Sequence, residues 1–158
     1  MRMENLNVYV AGPVWRKRQG TSPLLVALYG QIEMNAAIYG VTVQIPREEE
    51  YLATLGPQPF ASAIASRVSR ANAVIVVLLS PASAEDFGNV SVGVEAVLAA
   101  QAGKPLVILA QNPDRVPRLL RALAGKRQPY AFENIDFKQL FLSFTSSAHY
   151  GEEAGAVG

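Results

Sequence analysis

The residues best suited to chemistry lie between Ala84 and Pro105, in the run AEDFGNVSVGVEAVLAAQAGKP. Between Asp86 and Lys104 the one charged side chain is Glu95. Its neighbours are apolar or small, the pattern of a buried helix, and carboxylates are rarely buried unless they are paired or used. Gly88 and Gly93 precede it, where a backbone can come close to a bound molecule. An ionised glutamate there can act as a general base. It can also act as a nucleophile that attacks an anomeric carbon and holds the sugar covalently. The competing reading is a glutamate on the outer side of the helix, meeting solvent. Glu95 is expected in the first turns of its helix, where the macrodipole favours a carboxylate.

Asp86 is the second candidate. In the loop before that helix it can donate a proton to a leaving base or bind a sugar hydroxyl. Taken alone it reads first as a turn or capping aspartate beside a glycine. Arg16, Lys17 and Arg18 follow the first strand and can hold a phosphate; the alternative is a solvated charge run. Tyr9 and Trp15 flank the turn at Gly12-Pro13, where either ring can stack on a base. Tyr9 reads equally as core, whereas Trp15 sits in the loop.

These residues need elements to position them. Leu6 to Ala11, Val41 to Ile45, Ala73 to Leu79, Pro105 to Leu109 and Pro129 to Phe132 read as strands, the last of them weak. The run AVIVVLL is continuous and β-branched, as expected of a strand covered on both faces. Between the strands lie helical patterns. One carries Leu25, Leu28, Tyr29, Ile32 and Ala36, with Thr21 or Ser22 as cap, Pro23 at its start and Gly40 at its end. Others carry Phe60, Ile64, Val68 and Ala71; the Glu95 stretch; Val116, Leu119, Leu120 and Leu123, with Pro117 in the first turn and Gly125 at the end. A last helix, capped by Asp136, carries Phe137, Leu140, Phe141 and Phe144. Alternating strands and helices predict a single-domain α/β sandwich, Rossmann-like in layout, with a five-stranded parallel sheet in the flavodoxin-like order 2-1-3-4-5. In that order the loop after strand 1, the loop after strand 3 and the start of the Glu95 helix meet at the switch point, where open parallel sheets bind ligands.

Composition narrows the functions. With 158 residues, half of them hydrophobic, the chain is long enough for one domain with a real core. A net charge of +1 gives no case for nucleic acid or a membrane surface. No cysteine is present, which removes disulfides and thiolate metal sites; the one histidine, His149, argues against a His-based metal cluster or a Ser-His-Asp triad. No Walker motif and no G-x-G-x-x-G after the first strand supports a nucleotide cofactor, and none is expected. Neither a signal peptide nor an apolar run of membrane-spanning length is read, so a soluble, cytoplasmic protein is expected.

With these residues in view, the chain resembles the nucleoside 2-deoxyribosyltransferase superfamily, which includes deoxynucleoside 5′-monophosphate N-glycosidases and CMP hydrolases. Three markers carry the resemblance: the strand and turn Val8-Tyr9-Val10-Ala11-Gly12-Pro13; Arg70-Ala71-Asn72 leading into AVIVVLL; and Asp86-Phe87-Gly88 through Gly93-Val94-Glu95 to Gly103-Lys104-Pro105. The resemblance implies that Glu95 is the nucleophile and that Asp86 handles the leaving base. It places Arg16 and Arg18 where basic residues accept a phosphate, and Asn89 or Ser91 near a phosphate-contacting serine. Gly12, Gly88 and Gly93 would line the same pocket. It further implies a small-molecule nucleoside or nucleotide substrate, a homodimer or larger assembly, and one domain over residues 1–146 with a flexible or interface tail over 147–158. The sequence departs from the family pattern in three places. About three extra residues separate Asp86 from Glu95, Asn72 replaces a usual aspartate, and Ile64 stands near a second active-site aspartate. The expected reaction is cleavage of an N-glycosidic bond through a glycosyl-Glu95 intermediate resolved by water. Transfer of the sugar to another base, and a nucleotide-binding module without catalysis, are the alternatives.

Overall fold

The run Ala73–Leu78 has every side chain buried, and a strand with two apolar faces must lie inside a sheet that is covered on both sides. The computed structural model describes residues 2–14, 22–47, 57–79 and 87–146. Five strands, β1 (Asn7–Ala11), β2 (Thr42–Gln44), β3 (Ala73–Leu78), β4 (Leu106–Ala110) and β5 (Tyr130–Ala131), form one sheet in the order β2-β1-β3-β4-β5. Every pair is parallel. The α-helices are α1 (Pro23–Tyr39), α2 (Pro57–Arg70), α3 (Phe87–Gln101), α4 (Arg118–Ala124) and α5 (137–146). The expected single α/β domain and strand order are those observed.

Alternation along the strands assigns the two cores. Val8, Val10, Ile75, Val77, Val107 and Leu109 face one side, where Leu28, Tyr29 and Ile32 of α1 and Phe137, Leu140, Phe141 and Phe144 of α5 cover them. Tyr9, Ala11, Val74, Val76, Leu106 and Ile108 face the other, under Ile64 and Val68 of α2, Val92, Ala96 and Ala99 of α3, and Leu120 and Ala124 of α4. The side chains of α3 that meet the sheet are small, so this helix approaches closely.

The two edges of the sheet differ. At the N-terminal edge the helix-to-strand connections are short, residues 40–41, 71–72, 102–105 and 125–129. Gly40 closes α1 at φ 72°, a left-handed conformation that favours glycine, with its N–H donating to the Ala36 and Ala37 carbonyls. At the C-terminal edge the connection that is described throughout, residues 111–117, is longer and contains a 3-10 turn at Pro113–Arg115.

Several local expectations shift. Ser22 occupies the N-cap of α1, but its hydroxyl makes no capping hydrogen bond. Pro117 is the N-cap residue of α4 rather than part of its first turn, because a 3-10 turn at Pro113–Arg115 comes before it. Leu119 of α4 is exposed, not core. Asp136 does cap α5: its Oδ1 accepts from the Gln139 N–H at 3.1 Å.

Asn72 has a structural task. Its Oδ1 accepts from the Asn7 N–H at 2.8 Å, and its own N–H donates to the Asn7 carbonyl at 2.7 Å. The pair locks the start of β3 to the start of β1, at the sheet edge away from the strands' C-terminal ends. Asn72→Ala is expected to lower stability by about 1–2 kcal/mol in urea denaturation. Asn72→Asp keeps an acceptor at the same place and should stay within about 0.5 kcal/mol of the parent.

Candidate active site

Helix α3 is the element that carries the candidate nucleophile. Val92, Ala96 and Ala99 recur at three- and four-residue spacing and fix the face that meets the sheet. Glu95 lies in that stripe and is 8% exposed, the one buried charged side chain among the described residues. It has an interaction partner and is not orphaned. The solvent-facing alternative for Glu95 does not fit this burial.

The dipole argument does not carry over. Because α3 begins at Phe87, Glu95 is its ninth residue. It sits about 12 Å along the helix axis from the first residue, beyond the first turn in which the macrodipole acts. All residues between Asp86 and Glu95 are helical.

The turn after β1 is shaped by a second constraint. A Cβ on Gly12 would lie 2.5 Å from the Tyr29 Oη, closer than real contacts allow, and a tight 3.0 Å from the Val77 Cβ. Tyr29, fully buried on α1, donates its hydroxyl to the Pro13 carbonyl at 2.6 Å. Glycine at position 12 thus lets α1, β3 and the β1 turn converge at the switch point. Sequence reasoning treated Tyr29 as core only; its phenol, aimed across the sheet end, is what positions the turn.

The other sequence candidates fall as follows. Tyr9 is 1% exposed and packs as a core ring between β1 and the α2–α3 layer, so its ring is not offered to a base. Ile64 is buried in the same cluster and supplies packing. Gly93 borders open space, with nothing within 4 Å of where a Cβ would stand. Gly88, Asn89 and Ser91 lie in the first two turns of α3, where the backbone alone is described. Trp15, Arg16, Lys17, Arg18 and Asp86 lie outside the described residues. At the same edge Gln111 continues the β3–β4 ladder, its N–H donating to the Leu78 carbonyl at 2.9 Å, and Asn112 Oδ1 accepts from the Asp114 N–H at 3.2 Å. These two amides end β4 beside β3. Applying the switch-point rule to every strand end, and not only to β1 and β3, would have found them.

Two open clefts among the described residues lie away from Glu95. One, of about 330 Å³, runs between α1 and β2 and includes Glu33, Gln44 and Arg47. The other, of about 480 Å³, lies at the N-terminal edge and carries Lys104, Lys126 and Arg127. These cations follow the C-terminal ends of α3 and α4, where helix dipoles favour positive charge. Arg127 also donates to the Ser143 carbonyl at 3.3 Å, and burial lowers its pKa from the usual arginine value.

No protein-family model matches the sequence, and no curated protein matches it. Solved structures do. The 2-deoxyribosyltransferase of Bacillus psychrosaccharolyticus superposes with a TM-score of 0.58 at 15% identity, covering 85% of this chain and 95% of that one. The Clostridium botulinum CMP N-glycosidase BcmB superposes with a TM-score of 0.50 at 15% identity, covering 79% of this chain and 85% of that one. At such identities the likeness is one of fold.

The β1 turn can be tested directly. Gly12→Ala forces the Tyr29 hydroxyl off Pro13 and should cost about 2–3 kcal/mol in thermal or chemical denaturation. Tyr29→Phe removes only the hydrogen bond and should cost about 1 kcal/mol. In the double variant Gly12→Ala/Tyr29→Phe the losses should be less than additive, because the phenol oxygen is the clashing atom.

Proposed function

We propose that this protein cleaves the N-glycosidic bond of a nucleoside 5′-monophosphate or nucleoside, with Glu95 as the nucleophile. The burial of Glu95 carries the reading: a carboxylate held on the sheet-facing side of α3, in an otherwise apolar layer, is uncommon unless it is paired or used. The fold shared with a 2-deoxyribosyltransferase and a CMP N-glycosidase supports the same chemistry.

In the proposed reaction a Glu95 carboxylate oxygen bonds to the anomeric carbon. The carbon–nitrogen bond breaks, and its electron pair leaves with the base. Asp86 is the candidate proton donor to that base. Water then attacks the same carbon and gives one proton to the Asp86 carboxylate, its OH stays on the sugar, and the Glu95 carboxylate is released. Arg16 and Arg18, with Asn89 or Ser91, are the candidate phosphate contacts, and their positive charge favours a phosphorylated substrate and hydrolysis. Gly12, Trp15, Gly88 and Gly93 are the candidate sugar and base contacts. No cofactor is required. A transferase, in which a second base replaces water, follows from the same intermediate. Ile64, buried in an apolar cluster, favours a different reading, a nucleotide-binding module without catalysis, since on the resemblance it stands near a position that carries an active-site aspartate. The substrate is a small molecule, not a nucleic acid or a membrane; among the described residues no helix is long and apolar enough to cross one. We assign the chemistry to one unit over residues 1–146, working in the cytoplasm as a homodimer or larger assembly, with 147–158 as a tail.

Incubation with (deoxy)nucleosides and their 5′-monophosphates, with and without a free base, separates the three readings by chromatography of released base and new nucleoside. Base release is expected, faster with monophosphates. Glu95→Ala should reduce it by about a thousandfold or more, while Glu95→Gln retains the fold by circular dichroism. Unchanged base release in Glu95→Ala would falsify the nucleophile assignment, and binding without release would favour the module.

A further inference from the structure

The cleft of about 480 Å³ at the N-terminal edge of the sheet lies between two turns. One joins α3 to β4 and carries Gly103 and Lys104; the other joins α4 to β5 and carries Gly125, Lys126 and Arg127. In each turn a left-handed glycine, at φ 70° and 65°, is followed by a lysine that lines the cleft. β5 pairs with β4 through Leu109 and Ala110 alone. The lower half of β4 therefore has no strand beside it, and the cleft opens there, bounded by Pro105, Leu106 and Leu123.

Lys104, Lys126 and Arg127 line this cleft, and among the described residues no carboxylate does. Helix dipoles account for part of the charge. Each helix C-terminus carries about half a negative elementary charge, so two helix ends offset about one of the three cations. Ion pairs do not offset the rest, because none of the three forms one among the described residues. The surrounding segment adds to the imbalance. From Lys104 to Arg127 the chain holds six cations against one carboxylate, Asp114, in a protein of net charge +1. Arg127 is the sharpest case. It donates to the Ser143 carbonyl of α5 at 3.3 Å, which holds it in place, while its Nε is buried with no acceptor among the described residues. Burial lowers its pKa, and no neighbouring carboxylate opposes that. A guanidinium held partly out of water without a counter-charge is costly, and an anion in the cleft supplies the counter-charge.

We propose that this cleft is a second binding site, for a small molecule that carries a phosphate group beside an apolar part. Ammonium groups from two different turns suit the several oxygens of a phosphate, and a guanidinium can meet two of them at once. Pro105, Leu106 and Leu123 form the wall for the apolar part, and the volume is in the range of small-molecule sites. The site lies at the opposite sheet edge from the C-terminal ends of the strands. It does not depend on the glycosidic chemistry proposed above.

Phenyl phosphate, at fixed ionic strength, should shift the amide NMR signals of Gly103 and Gly125 in the parent protein. Inorganic phosphate should do so about tenfold more weakly, because it leaves the apolar wall uncovered. Lys104→Ala/Lys126→Ala should weaken phenyl phosphate binding there by about tenfold or more, with an unchanged circular dichroism spectrum. Arg70→Ala/Lys138→Ala, which removes two exposed cations from α2 and α5, should leave it unchanged. Arg16→Ala/Arg18→Ala, which removes candidate phosphate contacts of the glycosidase, should leave the Gly103 and Gly125 shifts in place. Absence of those shifts at millimolar ligand, or their loss in Arg16→Ala/Arg18→Ala, overturns the second site. Equal weakening in Lys104→Ala/Lys126→Ala and Arg70→Ala/Lys138→Ala also overturns it, as a general effect of charge. Inorganic phosphate binding as tightly as phenyl phosphate overturns the apolar half of the assignment.

Discussion

The structure depends on β1 and β3 lying side by side. Their register, Val8 on Ala73 through Ala11 on Val76, brings together two strands more than sixty residues apart in the chain. It also forces the connections from β1 and β3 to leave towards opposite layers, α1 on one face and α3 on the other. The gap between those departures is the place where a parallel sheet can hold a small molecule without sacrificing backbone hydrogen bonds. Asn72 secures the lower end of this pairing and Gly12 the upper end. One contributes a hydrogen bond and the other the lack of a side chain, and both serve the same junction.

Within that frame Glu95 is a local conflict. The layer around it is built largely from Val, Ile, Leu and Ala, where an ionised group loses hydration and has to be paired or used. Sequences that specify a fold consistently tend to break their own rules at working sites. Here the break is confined to one side chain on one helix. Its described core neighbours on α3, Val92, Ala96 and Ala99, are small and apolar, which lets the helix lie close to the sheet. Tyr9 and Ile64, near the same layer, keep to the apolar pattern and wall it.

Much of this was legible in the sequence because its signals are local. A continuous β-branched run marks β3, Gly40 and Gly125 punctuate the ends of α1 and α4, and the isolation of Glu95 among apolar residues correctly implied burial. What was not legible came from contacts across the chain or from helix starts. Phe87-Gly88-Asn89 reads as a loop by propensity, since glycine and asparagine are weak helix formers, yet α3 begins there and shifts Glu95 away from the positive end of the dipole. Leu119 and Leu120 are alike in type and differ only in which way the short α4 turns them. The closeness of Gly12 to Tyr29 and of Asn7 to Asn72 depends on the folded geometry; no pattern within either segment records it.

The two rims of the sheet also differ in how freely they can be rewritten. Helix-to-strand connections of two to five residues leave little slack, and a residue added at Gly40-Val41 or Ala71-Asn72 would shift a strand against its neighbours. The seven-residue connection from β4 to α4, residues 111–117, can change length with a small loss in closure entropy. The fold is thus a chassis with one fixed end and one exchangeable end. Loop libraries inserted at the upper rim can change what the protein recognises while the sheet, its register and Glu95 stay where they are.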